Sequence, residues 1–155
     1  MASYLKPSKL SKSERSSQPL VSVLIPHFGG REILQECLKS LINSVYLNLE
    51  IIVVDNASPD NSTHSFQEKY PDIKLIHSKY NRGFSGGCNF GAEYAKGEYL
   101  LILNNDTVHE KDWIIYLVQY MESNKNISAV QPKIKNFKNQ DYFDYAGGSG
   151  GYMDK

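Results

Sequence analysis

The chain is poor in residues that mark a metal or redox centre. Its only cysteines, Cys37 and Cys88, form no C-x-x-C pair, which argues against a zinc ribbon or dithiol site and leaves two buried thiols in a reducing compartment. The four histidines, at 27, 64, 77 and 109, lack zinc-ligand spacing. An excess of either charge is missing too. Lys plus Arg and Asp plus Glu number 17 each, so no global field draws the chain to nucleic acid or anionic lipid. No apolar run is long enough to cross a bilayer and no secretory h-region opens the chain. The expectation is a cytoplasmic protein, with at most a peripheral contact at the inner face of a membrane. No G-x-x-x-x-G-K-[ST] occurs, which removes the P-loop class, and neither glycine cluster spells G-x-G-x-x-G.

What is present reads as one α/β domain. With 155 residues, 41% of them hydrophobic, the chain can bury a modest core. Residues 1–18 interleave serines with Lys6, Lys9, Lys12 and Arg15 and read as a disordered polar tail. Val21 to Ile25 is a short buried strand stopped by Pro26. Ile33, Leu34, Cys37, Leu38, Leu41, Ile42 and Val45 recur at helical spacing over 31–45. Further strands are expected at 50–54, 72–77, 98–103 and 128–130. Helices are expected at 61–69, from the glycine-rich loop 81–87 through Ala95, and around Trp113 to Met121. Continuous apolar strands alternating with helices predict a mostly parallel, Rossmann-like sheet covered on both faces. Gly147, Gly148, Gly150 and Gly151 make 136–155 a flexible segment.

The chemistry gathers at strand ends. Leu100 to Leu103 stops abruptly at Asn104, Asn105 and Asp106. A helix cap is the plain explanation of such residues, and hard oxygen donors for Mg²⁺ or Mn²⁺ the functional one. Two further polar clusters, Pro26–Phe28 and Asp55–Ser58, also follow directly on strands. In a parallel sheet all three lie at one edge, where ligands bind. There Phe28 can pack on a base, Asp55 can accept from a base imide or ribose hydroxyl, and Asp106 can hold a cation that bridges phosphates. Gly83–Gly87 also matches G-x-S-x-G, but no strand runs into Ser85, so a hydrolase elbow is rejected.

Four blocks, Val21–Gly30, Ile51–Asp60, Asn81–Gly91 and Leu101–Thr107, together resemble the family 2 glycosyltransferases. The likeness spans residues 20 to about 135 and is nearest the rhamnosyltransferase-like branch. It implies an inverting enzyme of GT-A fold that moves a sugar from a nucleotide diphosphate donor to an acceptor hydroxyl of a saccharide or lipid-linked acceptor, in cell-surface polysaccharide synthesis. By position, Pro26, His27 and Phe28 would line the base pocket and Asp55 would bind the nucleoside. Arg82, Gly83 and Asn89 would flank the donor, with Arg82 toward phosphate. Asn104–Asn105–Asp106 stands at the family's Asp-x-Asp, with Asp106 and Asn104 the ligands of a Mn²⁺ or Mg²⁺ ion. Asn104 in place of Asp removes one charge. The family's catalytic base follows much later, and Asp141, Asp144 and Asp154 lack its context. It is expected beyond Lys155, with 19–135 the donor-binding half and the acceptor half absent. The alternatives are a non-catalytic nucleotide- or sugar-binding module and, more remotely, a nucleotidyltransferase using Gly29–Gly30–Arg31.

Overall fold

The computed structural model describes residues 18–145. They fall into two units divided at Asp112/Trp113, where a single unit to 135 was expected. The first unit holds β1 (Val21–His27), α1 (Arg31–Ile42), β2 (Leu49–Asp55), the single turn α2 (Phe66–Lys69), β3 (Lys74–His77), α3 (Gly83–Ala92) and β4 (Tyr99–Ile102). Its four strands are all parallel, in the order β3-β2-β1-β4. Connections between parallel strands are right-handed. The steps β1 to β2 to β3 and the return to β4 run in opposite directions, so α1 and α2 lie on one face and α3 on the other.

Burial follows this layout. Every residue of β1 is buried, as the middle of a covered parallel sheet requires. Leu24, Ile52, Val54 and Ile76 form the core beneath α3, with Phe90, Ala92 and Ala95 packed on them. Leu34, Cys37, Leu38 and Leu41 make the fully buried stripe of α1, and Lys69 Nζ donates to Gln35 Oε1 at 3.1 Å between α2 and α1. Each fully buried aliphatic side chain contributes about 2 kcal/mol. Ser22, the polar member of β1, donates to Glu50 Oε2 at 2.6 Å and accepts from Gly97 N at 2.8 Å, so its burial leaves nothing unsatisfied.

Several boundaries differ from the sequence reading. Pro26 does not stop β1; the strand continues through His27. Even-numbered residues of β1 face β4, since Leu103 N donates to Leu24 O at 2.9 Å. The next bond of that ladder would need an N–H at Pro26, and proline has none. The missing donor therefore ends the β1–β4 ladder and leaves β2 pairing intact to Asp55. The helix expected at 61–69 is reduced to α2, because Asn61–Ser65 turn instead. Gly83–Gly87, expected as a loop, already belongs to α3. Gln18 is not tail: its Oε1 and O accept from Leu47 N and Asn48 Nδ2. The rest of the expected tail lies outside the described residues.

The second unit contains α4 (Trp113–Ser123) and an antiparallel pair, β5 (Ile134–Lys135) with β6 (Phe143–Tyr145). No strand forms at 128–130; three residues supply too short a ladder without a neighbour. The hairpin falls partly within the segment expected to be flexible, and the glycines 147–151 lie outside the described residues. Asn136 organises its turn, accepting from Lys138 N and Asn139 N and donating to Asp144 Oδ1.

Two outcomes follow for stability. A Cβ on Gly97 would lie 2.5 Å from Ser22 N and 2.8 Å from Leu20 O, so backbone must move. Gly97→Ala should cost about 2 kcal/mol, read by thermal denaturation as a Tm drop on the order of 10 °C. Burial also drives the His109 imidazole down to about 4, between Ser40 Oγ at 2.8 Å and Thr107 Oγ1 at 3.0 Å. The unfolded chain then binds the extra proton first, so stability present above pH ~6.5 is lost as pH falls toward ~4. His109→Gln should flatten the Tm slope in that window, leaving the part due to His27, whose burial acts in the same direction.

Candidate functional site

The chain leaves β1 toward β2 on one side and returns to β4 on the other, so the β1/β4 boundary is a topological switch point. Pro26 opens the ladder there, and three loops project from the same carboxyl edge.

The loop after β1 carries Phe28, 52% exposed, then Gly29 and Gly30 at φ 76° and 85°. Such backbone favours glycine. It turns both N–H groups toward the loop after β2: Gly29 N donates to Ser58 Oγ at 3.0 Å and Gly30 N to Asp60 Oδ2 at 2.7 Å. That second loop is strained. Ala57, Asn61 and Ser65 all adopt left-handed φ, of 65°, 50° and 58°, a conformation non-glycine residues hold only where their surroundings fix it. Asp60 fixes it in part, since its Oδ1 also accepts from Ser62 N at 3.0 Å. These bonds hold its carboxyl down at about 2.

Asp55 ends β2 almost buried. Its Oδ1 accepts from Ser58 N at 2.9 Å, and its Oδ2 accepts from Thr63 Oγ1 at 2.6 Å and His77 Nδ1 at 3.1 Å. Burial pushes the carboxyl up, but the bonds from Thr63, Ser58 and His77 outweigh it and leave it below the ordinary range. Asp55, Ser58, Thr63, Leu75 and His77 line a cavity of about 440 Å³, within the range of small-ligand sites.

His27 is 1% exposed and sits beneath the crevice surface. Asn105 Nδ2 donates to its Nδ1 at 2.9 Å, so Nε2 carries the proton and donates to Ser62 Oγ at 2.7 Å. Burial pulls this imidazole down, against the opposing pull of Asp55 and Asp60, so the ring is neutral at pH 7. Asn104 and Asp106 flank Asn105 and are exposed. Asn104 O accepts from Thr107 Oγ1 at 2.8 Å, leaving the Asn104 and Asp106 side chains at the edge.

Asn56, buried, secures the third wall. Its Nδ2 donates to Asn81 Oδ1 and Gly83 O, and its Oδ1 accepts from Arg82 N. Gly87 is closely packed here, since a Cβ would stand 3.2 Å from Pro26 Cβ. The Arg82 guanidinium turns back over the rings of Phe90 and Tyr80, at 4.4 and 4.8 Å, with Nε donating to Ser78 Oγ at 3.0 Å. Pro26, His27, Phe28, Asp55, Asn104, Asn105, Asp106 and Gly83 thus share one edge. Arg82 folds away from it onto its stacking partners. Asn89 lies exposed farther along α3, outside the hydrogen bonds that join the loops. Asn56 and Ser58 fell within the Asp55–Ser58 cluster without a role of their own, and Asp60, Ser62 and Thr63 were not singled out, although the density of Asx and hydroxyl residues over 55–63 was a usable signal.

A divalent cation finds limited protein ligation here. Among the described residues no group of three His, Cys, Asp or Glu side chains converges. Asp106 with Asn104 supplies one carboxylate and one amide oxygen. That set fits an ion such as Mg²⁺ or Mn²⁺, which keeps waters and takes further oxygens from phosphate.

Comparison with known proteins gives the arrangement its context. Residues 22–148 match the model of the glycosyl transferase family 2. A glycosyltransferase of Haemophilus influenzae is 35% identical over 115 residues, covering 72% of this chain and 36% of that protein. The poly-beta-1,6-N-acetyl-D-glucosamine synthase of Staphylococcus epidermidis is 31% identical over 131 residues, 82% of this chain and 32% of the synthase. The mannosyltransferase PcManGT of Pyrobaculum calidifontis, solved with GDP-Man and Mn²⁺, superimposes with a TM-score of 0.62 at 23% identity, over 78% of this chain and 35% of that one. The fold is the α/β fold of these GT-A enzymes. This chain spans about a third of the length of the relatives it matches. It belongs to glycosyl transferase family 2.

Proposed function

We propose that this chain is the donor-binding part of an inverting glycosyltransferase, of the rhamnosyltransferase-like branch, which takes a sugar from a nucleotide diphosphate donor to an acceptor hydroxyl in cell-surface polysaccharide assembly at the inner face of the membrane. The observation that carries this reading is the hydrogen-bonded chain Gly30–Asp60–Ser62–His27–Asn105, which ties the ends of β1, β2 and β4 into one edge. Asp55 ends β2 and Asp106 lies in the loop after β4, and these strands stand two positions apart in the sheet, about 10 Å at the usual strand spacing. A nucleoside joined to a diphosphate has that reach.

In this reading the nucleoside enters the cavity beside Asp55, whose carboxylate accepts from the base or ribose. The exposed ring of Phe28 stacks on the base, and Pro26 and Gly83 shape the walls. Arg82, freed from Phe90 and Tyr80, and Asn89 contact the donor's far side. Asn104 and Asp106 would hold a Mn²⁺ or Mg²⁺ ion, with Asn105 set between them by His27. When bound, the ion neutralises charge developing on the leaving diphosphate. A carboxylate that deprotonates the acceptor completes the reaction. Support comes from the family match and from the solved relative that carries GDP-Man and Mn²⁺.

Thermal shift assays with UDP, dTDP and GDP, each with and without Mn²⁺, test this reading. Saturation at about a hundred times Kd should add about 2.7 kcal/mol with one base, a shift that Asp106→Ala abolishes for the Mn²⁺-dependent part. Phe28→Ala should weaken binding about tenfold, the scale of one lost base stack. No shift with any nucleotide, or an Asp106→Ala protein that responds as the unaltered chain does, contradicts the reading.

A further inference from the structure

We infer that His27 is a positioning residue that sets the Asn104–Asp106 segment for its cation. The inference rests on the donor-site reading and extends it to a group beneath that site. The imidazole spans two loops far apart in the chain: Asn105, 78 positions away, on Nδ1 and Ser62, 35 positions away, on Nε2. Its ring is buried, so it touches no ligand itself. Each contact has one polarity. Nδ1 must accept for Asn105 to donate, and Nε2 must then donate to Ser62. Ser62 is held in turn by its N–H on Asp60, and Asp60 by Gly30.

The consequence falls on the β4 side. Pro26 ends the backbone ladder between β1 and β4, so beyond Leu103 the segment 104–106 has lost that support. Asn105 is its side-chain tether to β1. Without His27 Nδ1, the Asn105 amide has no such anchor, and the oxygens of Asn104 and Asp106 on either side lose their fixed bearing. Groups that orient ligands in this way affect metal affinity about 10- to 100-fold when removed. A residue of merely structural value would lower Tm and leave the cation's contribution to nucleotide binding unchanged.

The test is titration calorimetry on the full chain with UDP and with GDP, each with and without Mn²⁺, for the unaltered protein, His27→Leu, His27→Asn and Asn105→Ala. Leu fills the space and removes both bonds. Asn presents an acceptor near the position of Nδ1 and retains the Asn105 contact. The expected result is that the gain in affinity on adding Mn²⁺ falls about tenfold or more in His27→Leu and Asn105→Ala, and is kept in His27→Asn. If His27→Leu does not fold, Asn105→Ala cuts the same bond at a half-exposed position and decides alone. An unchanged Mn²⁺ gain in both variants overturns the role of His27 and leaves the donor-site reading standing. No nucleotide binding by the unaltered chain overturns both.

Discussion

Every residue of β1 is withdrawn from water, and a backbone so placed must satisfy both of its hydrogen-bonding edges. β2 answers one edge along its full length, and β4 answers the other only as far as Leu24. Pro26 is the reason. Its missing N–H faces the side from which β4 departs, so the lost donor creates an opening rather than a defect. The sheet therefore divides at its carboxyl edge while staying closed below, where Ser22, Glu50 and Gly97 interlock. The place where a ligand can approach the backbone follows from one imino acid in the central strand.

Side chains then replace the backbone ladder. His27 reaches Asn105 on one side and Ser62 on the other, Asp60 captures the N–H of Gly30, and Asn56 gathers the start of α3. Hydrogen bonds at buried or half-buried positions, as those of His27 and Asn56 are, are costly to leave unmade, so they hold the three loops in one arrangement. It also accounts for the left-handed backbone at Ala57, Asn61 and Ser65, which a loop free to relax would shed. Such a frame sets the bearing of the polar groups at this edge before any ligand arrives, which is how a binding site avoids ordering costs on association.

Much of this was legible in the residues. Ile51 to Val54 and Leu101 to Leu103 read as strands from their continuous apolar runs, and the polar residues that follow them fell at one edge. The expected burial holds for Ile52 to Val54 but not for β4, where Leu100 and Ile102 are 48% and 53% exposed at the edge of the sheet. Other features were hidden for physical reasons. The polar loop after β2 read as leading into a helix over 61–69, but Asp60 and Ser62 make loop bonds that compete with helical ones. The glycines of α3 looked like a loop, whereas their lack of side chains lets the helix approach Pro26 and Asn56. The hairpin of β5 and β6 is exposed and carries no clear alternation. The link from His27 to Asn105 joins residues 78 apart, and no local pattern announces such a pair.

In the proposed donor site one ligand spans from the end of β2 to the loop after β4, with its cation in that loop. The most direct measurement is paramagnetic broadening of backbone amide signals on adding Mn²⁺ to the ¹⁵N-labelled chain with a saturating nucleoside diphosphate. Such a ligand should broaden Asn104–Thr107 most strongly, Phe28 more weakly, and shift the signals around Asp55 and Ser58 without strong broadening. Broadening centred instead on the His64–Glu68 turn or on the Asn136–Asp144 hairpin, with 104–107 untouched, would contradict it.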